Sequence, residues 1–360
     1  MKRSIGWRIA AGILAVSALA GNVQAADFSA EMQQVIDGAK KEGAIDLAWG
    51  EGTLGGSKAV KLFEDRINAM FGTTLKIKYT PGPSMPQTGN DIATRQAAGQ
   101  PSPTDVFIAY GDVFSRLYPR NLFVAAPWQK MMPGRITDAM VESNGAAVKN
   151  TTGLVGIGYN TKLAPYEPKT LADFLKPEWK GKISSTPYAA NFDILSGTGN
   201  WGPEKALDYA TKLSDQVSGM MRCNEGERLA NGEFIAFVMN CSTANFADMI
   251  KKGAPLKNVV MGDFTVKLYT YLAVPKNAPH PNAAQLFVAY TASQQGQAQL
   301  WETTDSDLDL YAESNVAKEI EGVRQRFGNV DFTAIDIQWY LDHPEAFANW
   351  KKISDIFAKK

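Results

Sequence analysis

The chain has 360 residues, 45% of them apolar and 21% charged, with 37 basic against 37 acidic side chains. That length and composition suit a globular protein with room for two domains, each with its own core. The balanced charge gives no basic excess of the kind that points to nucleic acid.

Lys2, Arg3 and Arg8 lead into an uncharged apolar stretch from Ile9 to Ala20, followed by Val23-Gln24-Ala25. This is the order of a secretory signal peptide with a small-residue cleavage site, so residues 1–25 are expected to be removed and the mature chain to begin at Ala26. The stretch is too short to span a bilayer, and a retained anchor helix is the alternative. Asn22 stands where a lipidated cysteine would follow Leu19-Ala20-Gly21, which favours a freely diffusing exported protein. Loss of the leader leaves 34 basic against 37 acidic residues, a net charge of about −3.

In chain order, Phe28, Met32, Val35, Ile36 and Ala39 recur at helical spacing up to Gly43, and Ala44 to Trp49 reads as a buried strand. A glycine-rich turn, Gly50 to Gly56, precedes a second helix carrying Val60, Phe63, Ile67 and Met70, with Gly72 as its stop. Leu75 to Tyr79 and Thr104 to Ala109 are the next strands, with a helix from Asp91 to Gly99 between them and one over Val113 to Leu117 after them. This alternation implies a parallel sheet with helices on its faces. Gly153 to Asn160 reads as one strand crossing between lobes, Ile183 to Thr186 as a strand, and Pro203 to Leu213 as a helix. Val266 to Pro275 suits a second crossing strand. Helices over Pro281 to about Trp301, Ala317 to Arg326 and Pro344 to Ala358 complete the chain.

Val217 to Phe246 forms a strand-helix-strand unit, with apolar runs at Val217 to Met221 and Phe234 to Met239 bridged by a short helix. Such runs read as neighbouring parallel strands. Their turns carry Arg222, Cys223, Asn224 and Glu225 after the first, and Asn240, Cys241, Ser242 and Thr243 after the second. Ligands of open α/β sheets bind beyond the carboxyl ends of strands, which makes these turns site candidates. Neighbouring strands lie about 4.8 Å apart, near the range that a Cys223–Cys241 disulfide requires. Two free thiols, or one functional thiol, are the alternatives.

Several motifs together resemble the periplasmic solute-binding proteins of ABC importers, in the branch that includes iron(III)- and thiamine-binding components. They are Thr104-Asp105-Val106-Phe107, Gly158-Tyr159-Asn160-Thr161, Leu171-Ala172-Asp173 leading to Lys176-Pro177-Glu178-Trp179-Lys180-Gly181-Lys182-Ile183, Ala230-Asn231-Gly232-Glu233, and Ala273-Val274-Pro275-Lys276 before the helix with Ser293-Gln294-Gln295-Gly296-Gln297. The resemblance implies a two-lobed α/β fold of the periplasmic binding protein type (type II-like), each lobe a mainly parallel sheet flanked by helices and joined by crossing strands. Lobe 1 is expected over 26–154 plus about 268–303, and lobe 2 over 155–267 plus about 304–360. It also implies a monomer in the periplasm that clamps a small solute and docks transiently on permease subunits, with no catalysis and no cofactor. Iron(III)-binding members carry paired tyrosines after the strand matching Phe234 to Met239; here that turn is Asn240-Cys241-Ser242-Thr243.

Candidate ligand-binding residues cluster at strand-end turns. Thr53, Ser84, Thr186, Ser242 and Thr243, with Asn191, Asn224, Asn240 and Arg222, offer donors for an organic anion, the expected solute. Trp49, Tyr110, Tyr159 and Tyr188, with Glu51, Asp112 and Glu225, suit an organic cation, thiamine-like or polyamine-like, as the second reading, with iron(III) as a further alternative solute. No metal site is expected: the cysteines lack zinc spacing, and His280 and His343 sit beside prolines in expected surface turns. The competing class is an exported enzyme on the same fold with Cys223 or Cys241 as nucleophile.

Overall fold

The computed structural model describes residues 28–359, so the expected leader over 1–25 lies outside the described residues. Among the described residues no helix is long and apolar enough to cross a membrane.

Helix α1 (Ala30–Glu42) buries Met32, Val35, Ile36 and Ala39, starts where the Ser29 hydroxyl accepts from Met32 N–H, and ends at left-handed Gly43. Strand β1 (Ala44–Trp49) follows, then α2 (Gly56–Phe71) and β2 (Lys76–Pro81), which pairs parallel with β1. The chain continues through α3 (Met85–Ala97), β3 (Phe107–Tyr110), α4 (Gly111–Leu117) and the single turn α5 (Trp128–Met131). Strands β4 (Val141–Glu142) and β5 (Ala147–Leu154) close this part. Ile45, Phe63, Phe107, Phe114 and Phe287 centre its core. Each such side chain, taken from water, contributes roughly 1.5–3 kcal/mol.

The chain crosses at Val155-Gly156 into β6 (Ile157–Asn160). Gly153 to Asn160 is therefore two strands in two sheets, not one. The reason is steric: a Cβ on Gly156 would lie 2.4 Å from the Val259 carbonyl oxygen, so the backbone passes there only without a side chain. Next come β7 (Ile183–Ser185), α6 (Phe192–Ser196), α7 (Pro203–Gln216), β8 (Val217–Met220), α8 (Gly226–Ala230), β9 (Ala236–Phe237), α9 (Ala247–Lys251) and β10 (Leu256–Val259). Phe174, Trp179, Ile183, Phe192 and Val238 fill the second core.

Strand β11 (Val266–Ala273) returns across the molecule. Val266 and Leu268 belong to the second core, whereas Tyr271, Leu272 and Ala273 belong to the first. Helices α10 (Pro281–Thr291) and α11 (Gln294–Thr304) follow, broken at Ser293, whose hydroxyl caps α11 by accepting from Gly296 N–H. A single helix to Trp301 is excluded by that cap. The last elements are α12 (Asn315–Phe327), β12 (Thr333–Ile335), α13 (Ile337–Asp342) and α14 (Glu345–Phe357). Two of these, β12 and α13, carry no clear period in the sequence.

The first sheet runs β12-β11-β5-β4, with β3 and β12 sharing one edge of β11 end to end, and the second runs β10-β6-β9-β7-β8. Every antiparallel pair involves β5, β6 or β11, the segments next to the two crossings. The order in the second sheet corrects one expectation: β8 and β9 are not neighbours, because β7 lies between them and pairs parallel with both. Short β7 stops at Ser185, and the turns after β8 and β9 meet over its end.

Candidate functional site

Between the two cores lies a cavity of about 740 Å³. The first core supplies Ser84 to Pro86 at the start of α3, Tyr110 to Val113 at the β3–α4 junction, and Arg116. The second supplies Tyr188, Ala190, Asn191 and Asp193 beyond β7, and Cys241 beyond β9. Leu268, Tyr269 and Ile335 form the floor where the crossing strands run, and Tyr340, Phe347 and Trp350 arrive from the C-terminal helices.

On the first side, Gly111 lets the start of α4 close on α13: an added Cβ would sit 3.2 Å from the Asp336 carbonyl. That places Asp112 in the first turn of α4, paired with Arg116 one turn on at 3.1 Å. Asp112 keeps 30% of its side-chain surface, turned to the cavity. The crowded walls there, and the nearby Asp193 carboxylate, push its pKa up to about 6. The Arg116 guanidinium also lies 5.1 Å over the Phe347 ring, and Phe347 stacks on Tyr340 at 5.5 Å.

On the second side, the turn after β7 holds two non-glycine residues at positive φ, Ala189 (47°) and Asn191 (63°). Such backbone persists only where its surroundings fix it. Here the Thr186 hydroxyl accepts from Ala190 N–H at 2.7 Å, and the Asn191 amide donates to the Asn240 carbonyl at 2.7 Å. Tyr188 is thereby lifted into the cleft, 38% exposed. Asp193 accepts from the Tyr340 hydroxyl at 3.1 Å, yet burial holds its pKa above the usual carboxylate range. Burial likewise pushes the Tyr110 and Tyr340 hydroxyls up.

Cys223 and Cys241 form a disulfide with their α-carbons 6.0 Å apart, bridging the two turns over the end of β7. With both sulfurs joined, neither is the thiolate that a cysteine nucleophile requires.

Of the residues singled out in the sequence, Ser84, Tyr110, Asp112, Tyr188 and Asn191, with Cys241, meet at the cavity. The others stand elsewhere. Trp49 is 4% exposed, its indole donating to the Val106 carbonyl at 2.7 Å. Tyr159 is buried in the second core and donates to Glu167, and burial pushes it up to about 12. Glu51 and Thr53 lie in the turn before α2, where Gly52, Gly55 and Gly56 take positive φ. Arg222 and Asn224 are exposed beside the disulfide, and Glu225 accepts from Arg222 N–H. Thr186 and Asn240 are fully buried. The Ser242 hydroxyl accepts from Ala244 N–H, and the Thr243 carbonyl from the Asn258 amide. These hydroxyls and amides build the turns that carry the wall.

The sequence reading missed Arg116, Asp193, Tyr269, Tyr340, Phe347 and Trp350. They sit on helices and a crossing strand, not on strand-end turns. The available signals were the Asp112-to-Arg116 spacing of four and the Phe347-to-Trp350 spacing of three, each placing two side chains on one helical face.

One carboxylate and imidazole cluster lies apart from the cavity: Asp46, Asp105 and His280. Buried Asp105 accepts from Asp46 N–H, His280 N–H and His280 Nδ1, tying β1 to the start of α10. His280 is thus half-buried and bonded, not in a free surface turn. His343 bonds Thr198 and lies 4.6 Å from the Trp339 ring. The cavity tyrosines Tyr110, Tyr188, Tyr269 and Tyr340 come from four separate segments, unlike paired ferric ligands.

Two α/β cores joined by crossing strands, with an open chamber walled from both, define a two-lobed binding protein. The sequence profile of the bacterial extracellular solute-binding protein family matches residues 58–307, and the chain belongs to that family. An uncharacterized protein of Haemophilus influenzae is 29% identical over 168 residues, 43% of this chain and 47% of that protein; the chain spans about half the length of this curated relative. Among solved structures, the substrate-binding protein of an ABC transporter from Agrobacterium tumefaciens has a TM-score of 0.70 at 14% identity, covering 89% of this chain and 97% of that one. The periplasmic binding protein AgtB of A. tumefaciens R10, in complex with agropinic acid, gives 0.65 at 16%, with 88% and 99% covered. Iron-bound HitA from Pseudomonas aeruginosa gives 0.58 at 20%, with 79% and 99% covered. At such identities the likeness is one of fold.

Proposed function

We propose that the chain is the ligand-capturing component of an ABC importer: exported to the periplasm as a monomer, it closes two lobes on a small polar solute and delivers it to a membrane permease. The observation that carries this reading is the chamber itself, whose walls come from both cores and whose floor is the crossing strands. In such an architecture a ligand touching both walls stabilises the closed state by its differential contacts, which is what a permease can sense. The two cores are the lobes, divided near Leu154 and Leu268 and again beyond about residue 304, a reading supported by Tyr340, Ile353 and Phe357 packing in the second core; the family resemblance supports both the delivery step and the absence of catalysis. Native mass spectrometry of protein purified from its own periplasm, with small-angle scattering before and after ligand removal, tests the reading. A co-purified small molecule and a more open ligand-free form are expected; no bound solute and no change in radius would count against it.

A further inference from the structure

Resting on that solute-binding reading, the charge of the cavity wall narrows the class of solute. We infer that the chamber is built for an organic monocation, its ammonium, guanidinium or azolium group seated beside Asp112 and Asp193 and its carbon skeleton against the surrounding rings. The chamber presents two carboxylates and one guanidinium. Arg116 is already committed, to Asp112 at 3.1 Å and to the Phe347 face at 5.1 Å. An incoming anion would have to break that pair and face Asp193 as well. A cation meets the opposite situation. The side-chain donor to Asp193 is the neutral Tyr340 hydroxyl, and the one guanidinium of the wall pairs with Asp112, so the wall carries one carboxylate more than it has positive groups.

The desolvation of the two carboxylates is the second argument. Burial holds both above the ordinary carboxylate range, with Asp193 adding to the rise at Asp112, a cost that a positive charge beside them offsets. The third is the ring inventory. Tyr110, Tyr188, Tyr340 and Trp350 line the chamber, and aromatic rings attract a desolvated cation. Most of the donors expected for an anion do not face the chamber: Thr186 is fully buried, the Asn191 amide donates to the Asn240 carbonyl, Ser242 is not on the wall, and Pro86 removes a donor from the start of α3.

The test is thermal shift and calorimetry on the mature protein, unfolded, refolded and dialysed to remove bound solute. The first panel holds monocations: choline, thiamine, tyramine and methylguanidine. The second holds succinate, inorganic phosphate and glucose. At least one monocation is expected to raise the melting temperature, with Asp193→Asn weakening its binding tenfold or more. Asp193→Asn keeps an acceptor for Tyr340, and a ligand-free melting temperature no lower than that of the unaltered protein shows that it folds. A shift from succinate, phosphate or glucose and none from the monocations would overturn the inference while leaving the solute-binding reading intact. No shift from any probe overturns it too, and counts against the broader reading only if protein from its own periplasm also carries no solute. Binding of a monocation that Asp193→Asn and Asp112→Asn leave unchanged would also overturn it.

Discussion

The Tyr188 hydroxyl donates to the Cys223 sulfur at 3.3 Å and lies 3.7 Å from the Cys241 sulfur, so the disulfide is the rest on which the exposed ring of the cavity wall is set. The bridge closes a loop of 18 residues. Its removal by the double change Cys223→Ser and Cys241→Ser is expected to cost about 3 kcal/mol of stability. Because the turn also loses its tie to the end of β7, ligand affinity should fall even at temperatures where the variant is fully folded. Denaturation in urea and calorimetry with the identified solute check the two effects separately.

Asp112 makes the ligand-free protein sensitive to pH in an unusual direction. Its folded pKa is about 6, raised above the ordinary aspartate value of about 3.8 by burial and by Asp193, with Arg116 pulling the other way. Between those two values the folded state holds more protons than the unfolded state, so this group lowers stability as pH rises through that window. Asp193, also raised, acts in the same sense. Asp112→Asn is therefore expected to raise stability at pH 7 by about 1–2 kcal/mol, after allowance for its open face, and to have little effect near pH 4. Melting curves of both proteins from pH 4 to 8 decide this; an equal gain at all pH values would point to packing instead.

Cation binding carries the opposite pH sign. The solute needs Asp112 ionised, so affinity should drop as pH falls through about 6. In Asp112→Asn, affinity is lower at every pH and much of the slope is gone. Isothermal calorimetry in two buffers of different ionisation enthalpy reads the proton count directly.

The alternation of helix and strand was legible because burial imposes it: Ile45 and Leu47 alternate inward along β1, and Phe63, Ile67 and Phe71 line one face of α2. The strand-end turns of β3 and β7 led to Tyr110, Asp112 and Tyr188 for the same reason. The C-terminal wall was not legible. Tyr340, Phe347 and Trp350 belong to helices whose apolar faces look like ordinary core, and only the packing of α13 on α4 and of α14 on α6 and α7 brings their edge to the chamber. Trp49 and Tyr159 failed in the reverse way: an aromatic at a strand end satisfies helix packing as well as ligand stacking, and local sequence does not separate the two.

Trp350 tests that missed wall. It is partly exposed, lines the chamber, and its indole donates to the Tyr188 carbonyl at 3.0 Å. Solute binding should change its emission. Trp350→Phe is expected to abolish most of that change and to weaken binding, with a stability cost of about 1 kcal/mol or less for the single exposed hydrogen bond. Trp49→Phe, in contrast, is expected to lower stability and leave affinity unchanged. Fluorescence titration of both variants separates wall from core.

Two glycines in ordinary backbone regions should answer the same substitution with opposite signs. Gly322, exposed in the middle of α12, has no heavy atom within 4 Å of an added Cβ. Gly322→Ala removes backbone freedom from the unfolded chain and should stabilise by about 0.5–1 kcal/mol. At Gly156 the added Cβ would meet the Val259 carbonyl at 2.4 Å and the Thr243 methyl at 3.0 Å. The chain changes sheets there, with the Asn240 N–H donating to the Gly156 carbonyl and β6 continuing from the same segment. Gly156→Ala must push β6 from β10 or turn the crossing itself, at a cost of about 2–3 kcal/mol. A shifted crossing changes how the lobes meet over the solute, so this variant should also lose affinity although residue 156 is not on the cavity wall. Unfolding curves and ligand titrations of the pair check it; equal small effects at both sites would show that the β6–β10 contact yields freely.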